Sequence, residues 1–104
     1  GLTVIETNYT TRGGEIDIIA WHIKHHFGRT LCFVEVKTRS YGIGSAERAT
    51  GYEKLQKLFR TARGYCLQKN INPDMTPIQF EQVSVYVNEK TKKAHIKKYV
   101  IPVE

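Results

Sequence analysis

Two short stretches constrain this chain more than anything else in it. Gly14-Glu15-Ile16-Asp17-Ile18-Ile19-Ala20 and Phe33-Val34-Glu35-Val36-Lys37-Thr38-Arg39 alternate at period two, as β-strands do, and both carry charge at a central position. In the first, Ile16, Ile18 and Ala20 fall on one face and Glu15 and Asp17 on the other. In the second, Val34 and Val36 oppose Phe33, Glu35 and Lys37. Charged groups on a half-buried sheet are poorly solvated and are tolerated when paired or bound to a metal, whereas an open sheet face removes the cost altogether. A solvated face is the simplest account of either strand alone. The second acidic strand shifts the balance.

If the two strands form a hairpin with its tip near His26, a symmetric register sets Asp17 opposite Glu35 and Glu15 opposite Lys37, with Ile19 facing Phe33 and Trp21 facing Leu31. Directly opposed residues have Cβ atoms roughly 4.5 to 5.5 Å apart, close enough for two carboxylates to share one cation. A one-residue slip would separate them. Opposed without a cation they would repel, so the pattern fits a hard-metal site better than a folding device. Lys37 supplies a third part.

These residues resemble the core of the PD-(D/E)xK nucleases and, more narrowly, the YraN-type bacterial family. The similarity begins at Gly1-Leu2-Thr3-Val4-Ile5, runs through Asn8-Tyr9-Thr10-Thr11-Arg12 and both charged strands, and weakens after Tyr65. The resemblance implies a restriction-endonuclease-like α/β domain over 1–104, with a mixed, mainly antiparallel sheet and one principal helix. It also implies metal-assisted hydrolysis of DNA phosphodiesters, with branched or repair-related structures as substrates in view. Asp17, Glu35 and the backbone carbonyl of Val36 would hold Mg²⁺ or Mn²⁺, with Glu15 as a secondary ligand, and Lys37 would orient or deprotonate the attacking water. Arg12, Thr38 and Arg39 are candidates for phosphate contact, and Gln56 for a supporting role from the helix start. The alternatives are a catalytically inactive nucleic-acid-binding or assembly module of the same fold, and a structural dimerisation domain. The family opens with a helix ahead of the position of Gly1, for which this chain shows no counterpart. One sheet face is then expected to present apolar surface that a second copy covers, giving a homodimer.

The rest of the chain agrees with one small α/β domain. Its 104 residues and 40% hydrophobic content suffice for a single core. A net charge of +6 favours an anionic partner, and nucleic acid ahead of a membrane surface, because no basic amphipathic helix stands out. No apolar run is long enough to span a bilayer and no secretory pattern opens the chain, so a soluble, cytoplasmic protein is expected. Cys32 and Cys66 fit no Cys-x-x-Cys pattern and read as reduced core thiols. The His22-Ile23-Lys24-His25-His26 run has no carboxylate or cysteine beside it to complete a metal site.

Leu2 to Tyr9 is predicted as a first strand, and Thr10 to Gly14 as a turn. The glycine-rich Ser40-Tyr41-Gly42-Ile43-Gly44-Ser45 reads as a connection, since it lacks phosphate-loop spacing. Thr50-Gly51-Tyr52-Glu53 has capping-box spacing, and Leu55, Leu58, Phe59, Ala62 and Tyr65 follow at helical intervals. Lys54, Lys57, Arg60 and Arg63 flank that apolar face, suited equally to solubility and to phosphate contact. Ile78 to Val87 and about His95 to Ile101 complete the sheet, and Glu81 stands where the resembled family usually has an aspartate.

Overall fold

Five strands in sequence order make one sheet, β1-β2-β3-β4-β5, in the computed structural model, which describes residues 2–24, 28–40 and 52–102. The elements are β1 (Leu2–Thr11), β2 (Gly14–Lys24), β3 (Gly28–Ser40), α1 (Tyr52–Gln68), β4 (Ile78–Asn88) and β5 (Lys93–Ile101). The β3–β4 pair is parallel and the other three are antiparallel. A parallel neighbour needs a crossover, and α1 lies in the connection that supplies it. The sheet is thus mixed and mainly antiparallel, as expected. His25 and His26, the Tyr41–Ser45 connection, and Thr50 and Gly51 of the capping box lie outside the described residues.

The β2–β3 hairpin takes the symmetric register, pairing Ile19 with Phe33 and Trp21 with Leu31. Alternation fixes it, because a slip would carry Ile19 and Phe33 out of the core together. Helix α1 lays Leu58, Ala62, Tyr65 and Cys66 against Ile16, Ile19, Leu31, Phe33 and Phe80. Aromatic contacts tie the layers: Phe33 stacks on Phe80 at 5.4 Å, and the Tyr65 ring meets Phe33 and Tyr9 edge-on at 5.9 and 5.2 Å. Each such pair adds about 0.5–1.5 kcal/mol beyond area burial. Both cysteines are free and buried, as expected.

One face assignment is corrected. Ile16 does not share a face with Ala20; it belongs to the helix-side core together with Ile19. Its partner Tyr9 packs there too, and Glu6, paired with Ile19, reaches Lys69 just past the end of α1. Strict alternation cannot place residues three apart on one face, so the phase shifts between them. On the neighbouring strand Asn8, with φ of 52°, lies between Thr7 and Tyr9, the partners of Ile18 and Ile16.

The sheet face away from α1 is different in kind. Glu81, only 4% exposed, accepts bonds there from Gln79 Nε2 at 2.6 Å and Lys98 Nζ at 3.0 Å. Leu2 and Val4 at one edge and Ile96 and Val100 at the other remain more than half exposed on that same face. Among the described residues no helix is long and apolar enough to cross a membrane.

Candidate functional site

The β2–β3 ladder pairs down to Ile18 and Val34, and the strands then part. Asp17 fills the gap: its Oδ2 accepts the Val36 N–H at 2.7 Å, taking over from the backbone bond. A side chain spent this way is fixed in direction, which is what a ligand position requires. The Asp17–Glu35 and Glu15–Lys37 oppositions of the simple register are therefore replaced by a splayed mouth, and the four residues converge on its cavity.

That cavity has a volume of about 340 Å³. Glu15, Asp17 and Glu35 line it together with Lys37, Lys54 and Lys57. Three carboxylates thus meet three ammonium groups. The strands supply the acids and Lys37; the first two turns of α1 supply the other lysines, three residues apart on one helix flank, with Leu58 beside them. Gly14 sets how closely β2 and α1 approach. A Cβ there would lie 2.7 Å from Thr61 Oγ1, which itself donates to the Lys57 carbonyl at 2.8 Å. Lys54 Nζ stands 2.9 Å from Glu35 Oε1, a cation already placed against one of the acids.

The donor set suits a small hard cation. Mg²⁺ takes one or two carboxylates and keeps several waters. Asp17 and Glu35 provide the carboxylates, and Val36 lies beyond the last β2–β3 pair, on the strand edge that its N–H turns toward Asp17. Among the described residues no three His, Cys, Asp or Glu side chains are grouped so as to hold a metal ion together, so Glu15 lines the cavity without joining Asp17 and Glu35 as a third ligand.

The other expected contacts are scattered. Gln56 lines a second cavity of about 600 Å³ on the opposite flank of α1, with Tyr52, Phe59 and Arg63, and does not line the acidic one. Thr38 is exposed but, one residue on from Lys37 and paired with Val85, it turns to the reverse face. Arg12 is exposed in the β1–β2 turn, two residues from Gly14. Arg39 continues β3, with its side chain outside the described part.

Sequence reasoning missed Gln82 and Ser84. Both are buried, Gln82 Nε2 donates to Ser84 Oγ at 3.3 Å, and the parallel register sets them beside Glu35 and Lys37 respectively. The alternation of Gln82-Val83-Ser84-Val85 was the available signal: polar positions continue the charged row onto the next strand.

A family model described as "Uncharacterised protein family UPF0102" matches residues 1–85. A UPF0102 protein of Alkaliphilus oremlandii is 38% identical over 94 residues, covering 89% of this chain and 76% of that one. Another from Alkaliphilus metalliredigens is 42% identical, over 91% of this chain and 77% of the relative. One from Clostridioides difficile is 36% identical, over 86% and 74% respectively.

Proposed function

The chain belongs to the UPF0102 family, which is the YraN family, and on that premise we propose that it is a metal-dependent nuclease hydrolysing DNA phosphodiester bonds. The observation that carries this reading is the convergence of Asp17, Glu35 and Lys37 on one cavity, with Asp17 locked to the Val36 N–H and two helix lysines at the rim. In the proposed chemistry Asp17, Glu35 and the Val36 carbonyl would hold Mg²⁺ or Mn²⁺, with Glu15 as a secondary ligand. Such an ion, when bound, polarises a phosphoryl oxygen and acidifies water. Lys37 orients the attacking water or takes its proton. Lys54 and Lys57 receive the phosphate, and Arg12 and Arg39 extend that contact along the strand. Thr38 and Gln56, placed away from the cavity, drop out of the proposed mechanism.

The Lys54–Glu35 pair supports a second reading, a nucleic-acid-binding module of the same fold whose acid is permanently neutralised. The two are separated by a nicking assay on branched, single-stranded and duplex DNA with Mg²⁺ or Mn²⁺. The nuclease reading expects cleavage of at least one substrate and a drop of about 10²-fold or more in Lys37→Ala, the scale of a general acid–base contribution. DNA binding without cleavage of any of them would favour the inactive module. The reading also includes a homodimer formed through the sheet face away from α1, supported by the exposure of Leu2, Val4, Ile96 and Val100. The two buried, reduced thiols suit a cytoplasmic setting.

A further inference from the structure

The helix-side face of the sheet does not end at the acidic cavity. Register carries it outward from β3: Glu35 neighbours Gln82, which neighbours Tyr99, and Lys37 neighbours Ser84, which neighbours Lys97. One row further, Tyr86 pairs with His95, and Asn88 with Lys93. The β5 residues on this face are therefore Lys93, His95, Lys97 and Tyr99, whereas Ala94, Ile96 and Val100 face the other way with Lys98. Such a strand is inside out for one meant to lie beneath a helix. Its apolar side chains point away from α1, and its basic and aromatic ones point to the side that carries α1 and the cavity. From Lys93 to Val100 it is exposed throughout.

Composition narrows the partner. The helix-side positions of β4 and β5, from Gln82 to Asn88 and from Lys93 to Tyr99, include no carboxylate. Lys97 Nζ lies over the face of the Tyr86 ring, 5.8 Å from its centroid, so an aromatic ring and an ammonium group stand together on this face. Aromatic faces interleaved with lysines on an open sheet bind unpaired bases by stacking and the backbone by charge. Two strand spacings, about 10 Å, separate β5 from β3, which puts Lys97 and Lys37 on one sheet face within the reach of a single bound strand.

We propose that Tyr86, His95, Lys97 and Tyr99, with Lys93 at the end, form a platform that binds single-stranded DNA and leads it to the Asp17–Glu35–Lys37 cavity. The choice of DNA, and of the cavity as destination, rests on the nuclease reading.

The test is binding of a short labelled oligothymidylate by fluorescence anisotropy, in chelator so that no cleavage intervenes. Lys97→Gln and Lys98→Gln remove the same charge from adjacent residues on opposite faces, which separates local contact from net charge. The platform predicts that Lys97→Gln weakens binding and lowers the slope of log K against log salt by about 0.7, the value for one phosphate contact on a single strand. Lys98→Gln should leave that slope unchanged. Tyr86→Ala should weaken binding about fivefold or more, with Tyr86→Phe restoring it. Equal effects of the two lysine variants, no affinity for the oligonucleotide, or stronger binding of a matched duplex or of oligouridylate would each overturn the proposal. Binding through this platform by a chain that cuts nothing would keep it while refuting the nuclease reading; cleavage that is indifferent to Lys97 and Tyr86 would do the reverse.

Discussion

Asp17 shows how one side chain can close the gap where two strands part and still line a cavity from there. Glu81 is the contrasting case, an acid on the reverse face. Burial pushes its pKa up, but bonds from Lys98, Gln79 and Cys32 outweigh burial and hold it below the ordinary 4.5. A carboxyl depressed in the folded state stabilises above its unfolded pKa, and that contribution is lost as pH falls through the folded value. Glu81→Gln should accordingly cost about 1–3 kcal/mol at neutral pH, the scale for a hydrogen bond to a charged group. In urea titrations the gap to wild type should shrink as pH drops below 4.5. A gap independent of pH would show that charge is not what Glu81 contributes. At this scale the sequence was legible where neighbours repeat a pattern, as with Glu35 and Lys37. It was illegible where the alternation changes phase within a strand, as it does between Ile16 and Ile19.

The β2–β3 hairpin was readable to the residue because alternation leaves only one register that buries Ile19, Phe33 and Leu31 together. Helix α1 was readable in its core face, through Leu58, Ala62 and Tyr65, but not in how its flanks divide. Lys54 and Lys57 line the acidic cavity while Gln56 lines a different one, and that split depends on the helix's rotation over the sheet. Strand β5 was found without its orientation. A Lys-rich run gives no sign of which side is open until the register to β4 is known. The joint between β2 and α1 is Gly14, where an added methyl would meet a threonine already 3% exposed and bonded to the helix backbone. Gly14→Ala should destabilise the fold by about 1–3 kcal/mol, the usual cost of overpacking, read as a lower urea midpoint. An unchanged midpoint would mean that the helix can lift freely from the strand, and the lysines with it.

At the scale of the whole molecule, among the described residues α1 packs on one side of the five-stranded sheet, and the other side keeps exposed apolar residues at both edges. Burial is worth roughly 25 cal/mol per Å², so about 800 Å² per partner offers a large gross driving force, most of which association costs offset. Sedimentation should show a dimer at micromolar concentration, and Ile96→Lys, at the centre of an exposed edge, should shift it toward monomer; a wild-type monomer would refute the interface. The central claim, metal-dependent cleavage at the Asp17–Glu35–Lys37 cavity, is met most directly by comparing wild type with Asp17→Asn. Asparagine keeps an oxygen that can accept the Val36 N–H while removing the charge an ion needs, so the hairpin survives and the chemistry does not. The decisive measurement is the rate of DNA nicking with Mg²⁺ or Mn²⁺ by the two proteins at matched thermal stability. Wild type should nick DNA, and both chelator and Asp17→Asn should abolish nicking; a wild type that never nicks, or an Asp17→Asn variant that nicks as fast, would contradict metal-dependent cleavage at this cavity.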